Sequence, residues 1–282
     1  MDGTTRKISQ IIEPQAVVEG AGVRLKRSIG AHTLDYLDPF LLLDHFQSKN
    51  PADYQAGFPL HPHRGIETVT YLLAGAVRHR DSVGNSGEIG SGDLQWMTAG
   101  RGIMHEEMPQ VRPEGVAGFQ LWVNLPKKEK MIAPRYQNIN ANEIAAIERD
   151  GGATVRVIAS SVDGVAGPIS GIAAEPMYLD VSIAPHGSFS LPIPHGHSAF
   201  AYIFEGAGRF GPERRRVTTP RLVVWDEGNS VEVRTEESAV RFLLVSGKPL
   251  NEPIARYGPF VMNTKAEIEQ TLRELQAGTF AQ

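Results

Sequence analysis

Apolar residues recur in short runs along the whole chain, and polar or glycine-containing stretches cut each run before it reaches helix length. Glu67-Thr68-Val69-Thr70-Tyr71-Leu72-Leu73 stops at Ala74-Gly75, and Phe119-Gln120-Leu121-Trp122-Val123-Asn124 alternates apolar with mixed residues. β-Branched and aromatic residues at a period of two suit strands, in which successive side chains point to opposite faces. Many such runs at short spacing predict an all-β chain, with jelly-roll or Greek-key barrels favoured over a parallel sheet. The end of the chain departs from this pattern. Thr264 with Glu267 three residues on offers a capping box, Ile268, Leu272 and Leu275 share a face, and Gly278 supplies a stop. A C-terminal helix is expected there, serving packing rather than chemistry. A weaker helical pattern runs from Ala141 to Arg149.

The strand pattern also repeats. Val69-Thr70-Tyr71-Leu72-Leu73-Ala74-Gly75 resembles Phe200-Ala201-Tyr202-Ile203-Phe204-Glu205-Gly206, about 130 residues later. A further strand-like segment follows each copy, Ser91 to Trp96 in the first and Thr219 to Trp225 in the second. Two tandem copies of one barrel are the simplest organisation: residues 1–130, then residues 131–282 with the terminal helix. Between them the run Pro126-Lys127-Lys128-Glu129-Lys130 and the stretch from Asn138 to Asp150 interrupt the strands.

Composition narrows the function. A chain of 282 residues suits two domains. With 28 Lys and Arg against 32 Asp and Glu, the net charge is -4, so the basic footprint that binds a phosphate backbone is missing. Arg214-Arg215-Arg216, beside Glu213, reads as a solvated turn. No apolar run approaches the roughly 18 residues of a membrane helix, and the first residues lack the apolar core of a signal peptide. A cytoplasmic protein without direct nucleic-acid or membrane contact is expected. Cysteine is absent, which removes disulfides, thiol catalysis and thiolate ligands together. Any metal must be held by nitrogen and oxygen.

Two short spacings supply such donors. In a strand, residues two apart share a face, so His61 and His63 of Leu60-His61-Pro62-His63-Arg64 converge, and the same parity continues to Glu67. About 40 residues on, His105 and Glu107 of Ile103-Met104-His105-Glu106-Glu107-Met108 repeat the arrangement. Two such pairs on neighbouring barrel strands can close around one ion. Imidazole with carboxylate suits iron, manganese, nickel, copper or zinc better than magnesium or calcium. His195 and His197 form a third His-x-His, but no later His-x-Glu completes a site, and no metal is expected in the second barrel. His45 is read as a hydrogen-bonded structural residue, and His32, His79 and His186 stand alone.

The order of these motifs, with Gly75 after the first pair and Gly102-Ile103-Met104-His105 at the second, resembles the cupin superfamily. Three blocks narrow the resemblance to the pirin family: Asp38-Pro39-Phe40-Leu41-Leu42-Leu43-Asp44-His45-Phe46, the stretch Phe58 to Val69, and the stretch Gly92 to His105. Gly258-Pro259-Phe260-Val261-Met262-Asn263-Thr264 is similar to the family's ending. The resemblance implies two cupin domains, metal ligands His61, His63, His105 and Glu107, and one ion, Fe(II) being usual in the family. General cupins take the carboxylate from the first motif, which would be Glu67, and strand parity alone permits either residue. The resemblance further implies a quercetin 2,3-dioxygenase that opens a flavonol with O2. Glu107 would then serve as a proton acceptor, and Gln120 or Trp96 as pocket lining. It also implies an alternative: a metal-binding regulator acting through a protein partner.

Overall fold

The computed structural model describes residues 4–281, whose regular structure is almost entirely antiparallel sheet. They divide into two compact units, one of Gln15–Ala141 with the segment from Leu250 onward, the other of Asn142–Pro249 with the segment up to Pro14. This division differs from the consecutive halves 1–130 and 131–282, because each end of the chain is captured by the barrel remote from it in sequence. Ile8–Ile12 hydrogen-bonds along Arg221–Trp225 and so extends the sheet of the second barrel. At the other end, Arg64 of the first barrel reaches Glu274 at 2.6 Å and donates to Thr271 Oγ1 at 3.1 Å and to the Phe280 carbonyl at 3.2 Å.

In the unit built on Gln15–Ala141, a seven-stranded sheet runs in the order Arg135–Ile139, Leu94–Thr98, Ile66–Ala74, Val116–Asn124, Phe40–Ser48, Val23–Ile29, Gln15–Glu19. A four-stranded sheet of Phe58–His63, Ile103–Gln110, Ala76–Asp81 and Ser86–Ile89 covers it. Val77 and Ile89 of the small sheet pack with Leu25, Leu72 and Val116 of the large one, which identifies the face of Ile66–Ala74 that carries Leu72 as the inner face. By alternation Thr68 and Thr70 also point inward, while Glu67, Val69 and Tyr71 point out.

The second unit repeats the plan. Ser198–Phe210 lies between Arg221–Trp225 and Val240–Gly247, as Ile66–Ala74 lies between Leu94–Thr98 and Val116–Asn124. The glycine that closes each repeated motif has left-handed backbone, at φ 84° for Gly75 and 71° for Gly206. The interior of this barrel is filled by apolar side chains, among them Val155, Leu179, Phe210, Val223, Trp225 and Phe242. Both units are cupin barrels.

The terminal helix spans Lys265–Gln276. Thr264 Oγ1 accepts from the Glu267 N–H at 3.2 Å and Glu267 Oε2 accepts from the Thr264 N–H at 2.7 Å, forming the expected capping box. Ile268 packs with Phe260, Met262 and Phe280. The weaker helical pattern from Ala141 to Arg149 forms instead a single 3-10 turn, Ala141–Glu143, and a strand, Ala146–Arg149. Pairing with Ala153–Ala159 across Gly151-Gly152, both at positive φ, outweighs local helix propensity. Among the described residues no helix is long and apolar enough to cross a membrane.

Candidate metal centre

Phe58–His63 and Ile103–Gln110 pair antiparallel with His61 opposite His105 and His63 opposite Ile103. This register brings three imidazoles onto the inner side of the small sheet. Ring centroids lie 4.3 Å apart for His61 and His105 and 4.9 Å apart for the other two pairs. One ligand nitrogen from each ring falls within 4.8 Å of the other two. Nε2 of His61 and Nε2 of His63 are 3.1 Å apart. Two nitrogens each about 2.1 Å from a shared ion and at right angles to each other would be separated by about 3.0 Å.

The protonation states suit a cation. Burial pushes His63 down to about 3 and His105 well below the ordinary histidine range, and it also lowers His61. All three are therefore neutral rings with a lone pair to give. His61 Nδ1–H donates to the Pro59 carbonyl at 2.9 Å, so the lone pair of this ring is on Nε2. Both nitrogens of His105 and Nδ1 of His63 are buried without a hydrogen-bond partner. Buried polar atoms left unpaired cost about 1–3 kcal/mol each, and a bound cation relieves that cost wherever a lone pair faces it. The donor set fits a transition-metal ion.

The two carboxylates lie on opposite sides of the strand Ile66–Ala74: Glu107 reaches it from the small sheet at Thr70, and Glu67 belongs to it and turns to Thr98. Glu107 follows His105 on the same inward parity, is 7% exposed, and accepts from Thr70 Oγ1 at 2.9 Å. Burial raises its carboxyl to about 7, against the lowering effect of the Thr70 bond. Its carboxylate does not belong to the mutual 4.8 Å cluster of the three histidines, but it lines the same cavity as His61 and His63. Glu67 accepts from Thr98 Oγ1 at 2.7 Å on the face turned away from Thr70. The parity count from His63 to Glu67 fails because the strand ends at His63, Gly65 turns the chain at φ 77°, and a strand of the other sheet begins at Ile66. Glu67→Gln should therefore purify with wild-type metal content. A metal-free Glu67→Gln protein, measured by elemental analysis, would show that Glu67 reaches the ion.

A cavity of about 530 Å³ opens onto this cluster, within the range of ~300–1,000 Å³ that holds small organic ligands. His61, His63 and Glu107 line it together with Gln120, Trp122 and Phe58. Gln120 was expected there. Trp96 is not among the lining residues: it is fully buried opposite Val69, on the outward parity of its strand. Trp122, two residues from Gln120 and edge-on to His63 at 5.1 Å, takes that role.

His79, which stands alone in sequence, lies against the cluster. It sits opposite Glu107 in the strand register, 5.4 Å from the His105 ring, and is stacked on Tyr136 at 4.8 Å. Thr70 and Tyr136 carry no sequence signal either, since only strand register brings them in. His45 stacks on Phe119 at 4.8 Å, and burial lowers it to about 4. Around His195 and His197 no metal-binding group forms among the described residues, and the neighbouring barrel interior is apolar. Metal content should be one ion per chain and unchanged in a His195→Ala/His197→Ala protein. A content near two that falls to one in that variant would contradict this.

Comparison with known proteins finds close matches along the whole chain. Residues 22–123 match the family described as "Pirin" and residues 178–281 match the "Pirin C-terminal cupin domain". The chain is 46% identical to a Pseudomonas aeruginosa protein named "Putative quercetin 2,3-dioxygenase", over 93% of this chain and 94% of that one. It is 42% identical to a pirin-like protein of Caulobacter vibrioides, over 98% and 99%. A crystal structure of quercetin 2,3-dioxygenase from Acinetobacter baumannii superposes with a TM-score of 0.88 at 35% identity, covering 98% of this chain and 99% of that one.

Proposed function

Since the chain belongs to the pirin family, we propose that it is a metal-dependent dioxygenase opening a flavonol such as quercetin with O2. The ion is held by His61, His63, His105 and Glu107, and Fe(II) is the metal assigned. The observation that carries this reading is the convergence of three neutral imidazoles, two of them fully buried, beside a cavity whose lining includes Phe46, Phe58 and Trp122. The relative and the solved structure named for quercetin 2,3-dioxygenase supply the substrate class. When bound, the metal supplies Lewis acidity and one-electron chemistry toward dioxygen.

The protein's own groups bind and orient. Phe58 and Trp122 offer faces for a planar ring system, and their apolar surface excludes water from the reacting end. Glu107 accepts from Thr70 through Oε1; its carboxylate would help to hold the ion and would take up the hydroxyl proton of an incoming flavonol. Tight burial of His63 and His105 fixes the ring orientations before the ligand arrives. With no cysteine in the chain, a reducing cytoplasm places no demand on the fold.

Oxygen uptake by anaerobically purified, iron-loaded protein on mixing with quercetin tests this reading. Uptake that requires both flavonol and metal is expected. Stoichiometric iron without any uptake would overturn the enzymatic reading and leave metal-dependent binding of a protein partner as the function to assay.

A further inference from the structure

Thr70 has one hydroxyl hydrogen, yet two side-chain oxygens lie 2.9 Å from its Oγ1: Oε1 of Glu107 and Oε1 of Gln120. A single O–H serves a single acceptor at full strength. The conflict resolves through the glutamine, whose amide oxygen and nitrogen exchange places by a half-turn and are assigned by the surrounding hydrogen bonds. A carboxylate bound to a cation only accepts. The hydroxyl hydrogen therefore goes to Glu107, and Gln120 must turn its N–H toward Thr70.

We propose that Gln120, Thr70 and Glu107 form a directional relay, Gln120 N–H to Thr70 O–H to the Glu107 carboxylate. The relay fixes the carboxylate so that its second oxygen faces the ion, and it turns the Gln120 amide oxygen toward the cavity as an acceptor for a ligand hydroxyl. It rests on Glu107 being a metal ligand, as proposed above. Strand register supports it, because Thr70 and Gln120 are direct partners between Ile66–Ala74 and Val116–Asn124. Burial supports it as well. Thr70 is 3% exposed, which leaves little room for water to replace its bond to Glu107. Gln120 is half-buried and lines the cavity, so the end of its amide not bound to Thr70 is on the ligand side. Thr70 and Gln120 are thus positioning residues that act through Glu107.

The relay is tested with Co(II) alone, titrated into metal-free protein in competition with a chelator, with the visible absorption of the bound ion as a second readout. Losing an outer hydrogen bond to a ligand typically costs about 10–100-fold in metal affinity. Thr70→Val should show a loss of that size and an altered Co(II) spectrum, and Thr70→Ser, which restores the hydroxyl, should recover most of both. Gln120→Leu should weaken binding too. In Thr70→Val/Gln120→Leu the loss should equal that of Thr70→Val alone, because one cut already breaks the chain. Wild-type affinity in Thr70→Val, failure of Thr70→Ser to recover, or additive losses in the double variant would each overturn the relay. If Thr70→Val does not fold, Gln120→Leu on the cavity wall carries the test. Glu107→Gln separates the two levels. Wild-type Co(II) affinity there removes the ligand assignment itself, whereas a weak Glu107→Gln beside a normal Thr70→Val removes the relay alone.

Discussion

His105→Ala should yield a folded protein that holds almost no metal and turns over no flavonol. His105 is 1% exposed and faces both His61 and His63, so its loss takes one corner from a three-imidazole cluster. The barrel should survive. The strand Ile103–Gln110 keeps its backbone pairing on both sides, to Phe58–His63 and to Ala76–Asp81, whichever side chain stands at position 105. Removing a buried imidazole also removes two unpaired polar atoms, which offsets part of the cavity cost. Elemental analysis and a thermal melt check both halves of this expectation. Full metal content in a well-folded His105→Ala protein would place the ion elsewhere.

Lys130→Met should produce the largest loss of stability without touching the cluster. The ammonium is 1% exposed and gives its three N–H groups to three acceptors: the Gly65 carbonyl at 2.9 Å, Asn124 Oδ1 at 2.8 Å and the Val261 carbonyl at 2.8 Å. Burial lowers the group to about 8, so at neutral pH most of it is still charged. Methionine fills the volume and spares the cost of burying a charge, but it takes the ammonium from Asn124 Oδ1 and the Val261 carbonyl at about 1–3 kcal/mol each and leaves the Gly65 carbonyl with only the Leu125 N–H at 3.3 Å. A net loss of about 3 kcal/mol should lower the melting temperature by roughly 6–12 °C. Two of the three acceptors belong to Gly65, which turns the chain out of the His61–His63 strand, and to Val261 of the C-terminal segment. The variant should therefore also become more susceptible to proteolysis after residue 250, and an unchanged melt would show that the ammonium is dispensable.

Lys130 also shows where sequence reading stops. In Pro126-Lys127-Lys128-Glu129-Lys130 it looks like one more charge in a solvated connection, because composition cannot distinguish a lysine in water from one enclosed by carbonyls. The barrels themselves were legible. Alternating runs, the copy of Val69–Gly75 at Phe200–Gly206 and the Thr264–Glu267 capping box each depend on spacings of a few residues, which local geometry fixes. The histidine cluster was legible for the same reason, since both pairs are two residues apart on single strands.

What depends on register between strands was not legible. Thr70 meets Glu107, and His79 meets His105, only through pairings between segments tens of residues apart. The parity from His63 to Glu67 misled because Gly65 ends one strand and the next belongs to the other sheet. The capture of the two chain ends was not legible either. Residues up to Pro14 and from Leu250 onward join barrels remote in sequence, and that choice is made by tertiary partners such as Arg64 and Glu274 rather than by any local signal.

The central claim, one ion held by three imidazoles and the Glu107 carboxylate, is tested most directly by a crystal structure of the iron-loaded protein with diffraction recorded on both sides of the iron absorption edge. The account predicts one anomalous peak per chain, with nitrogens of His61, His63 and His105 and Oε2 of Glu107 at about 2.0–2.2 Å from it. A peak ligated by Glu67, a peak in the second barrel, or a peak with Glu107 turned away on Thr70 alone would contradict it.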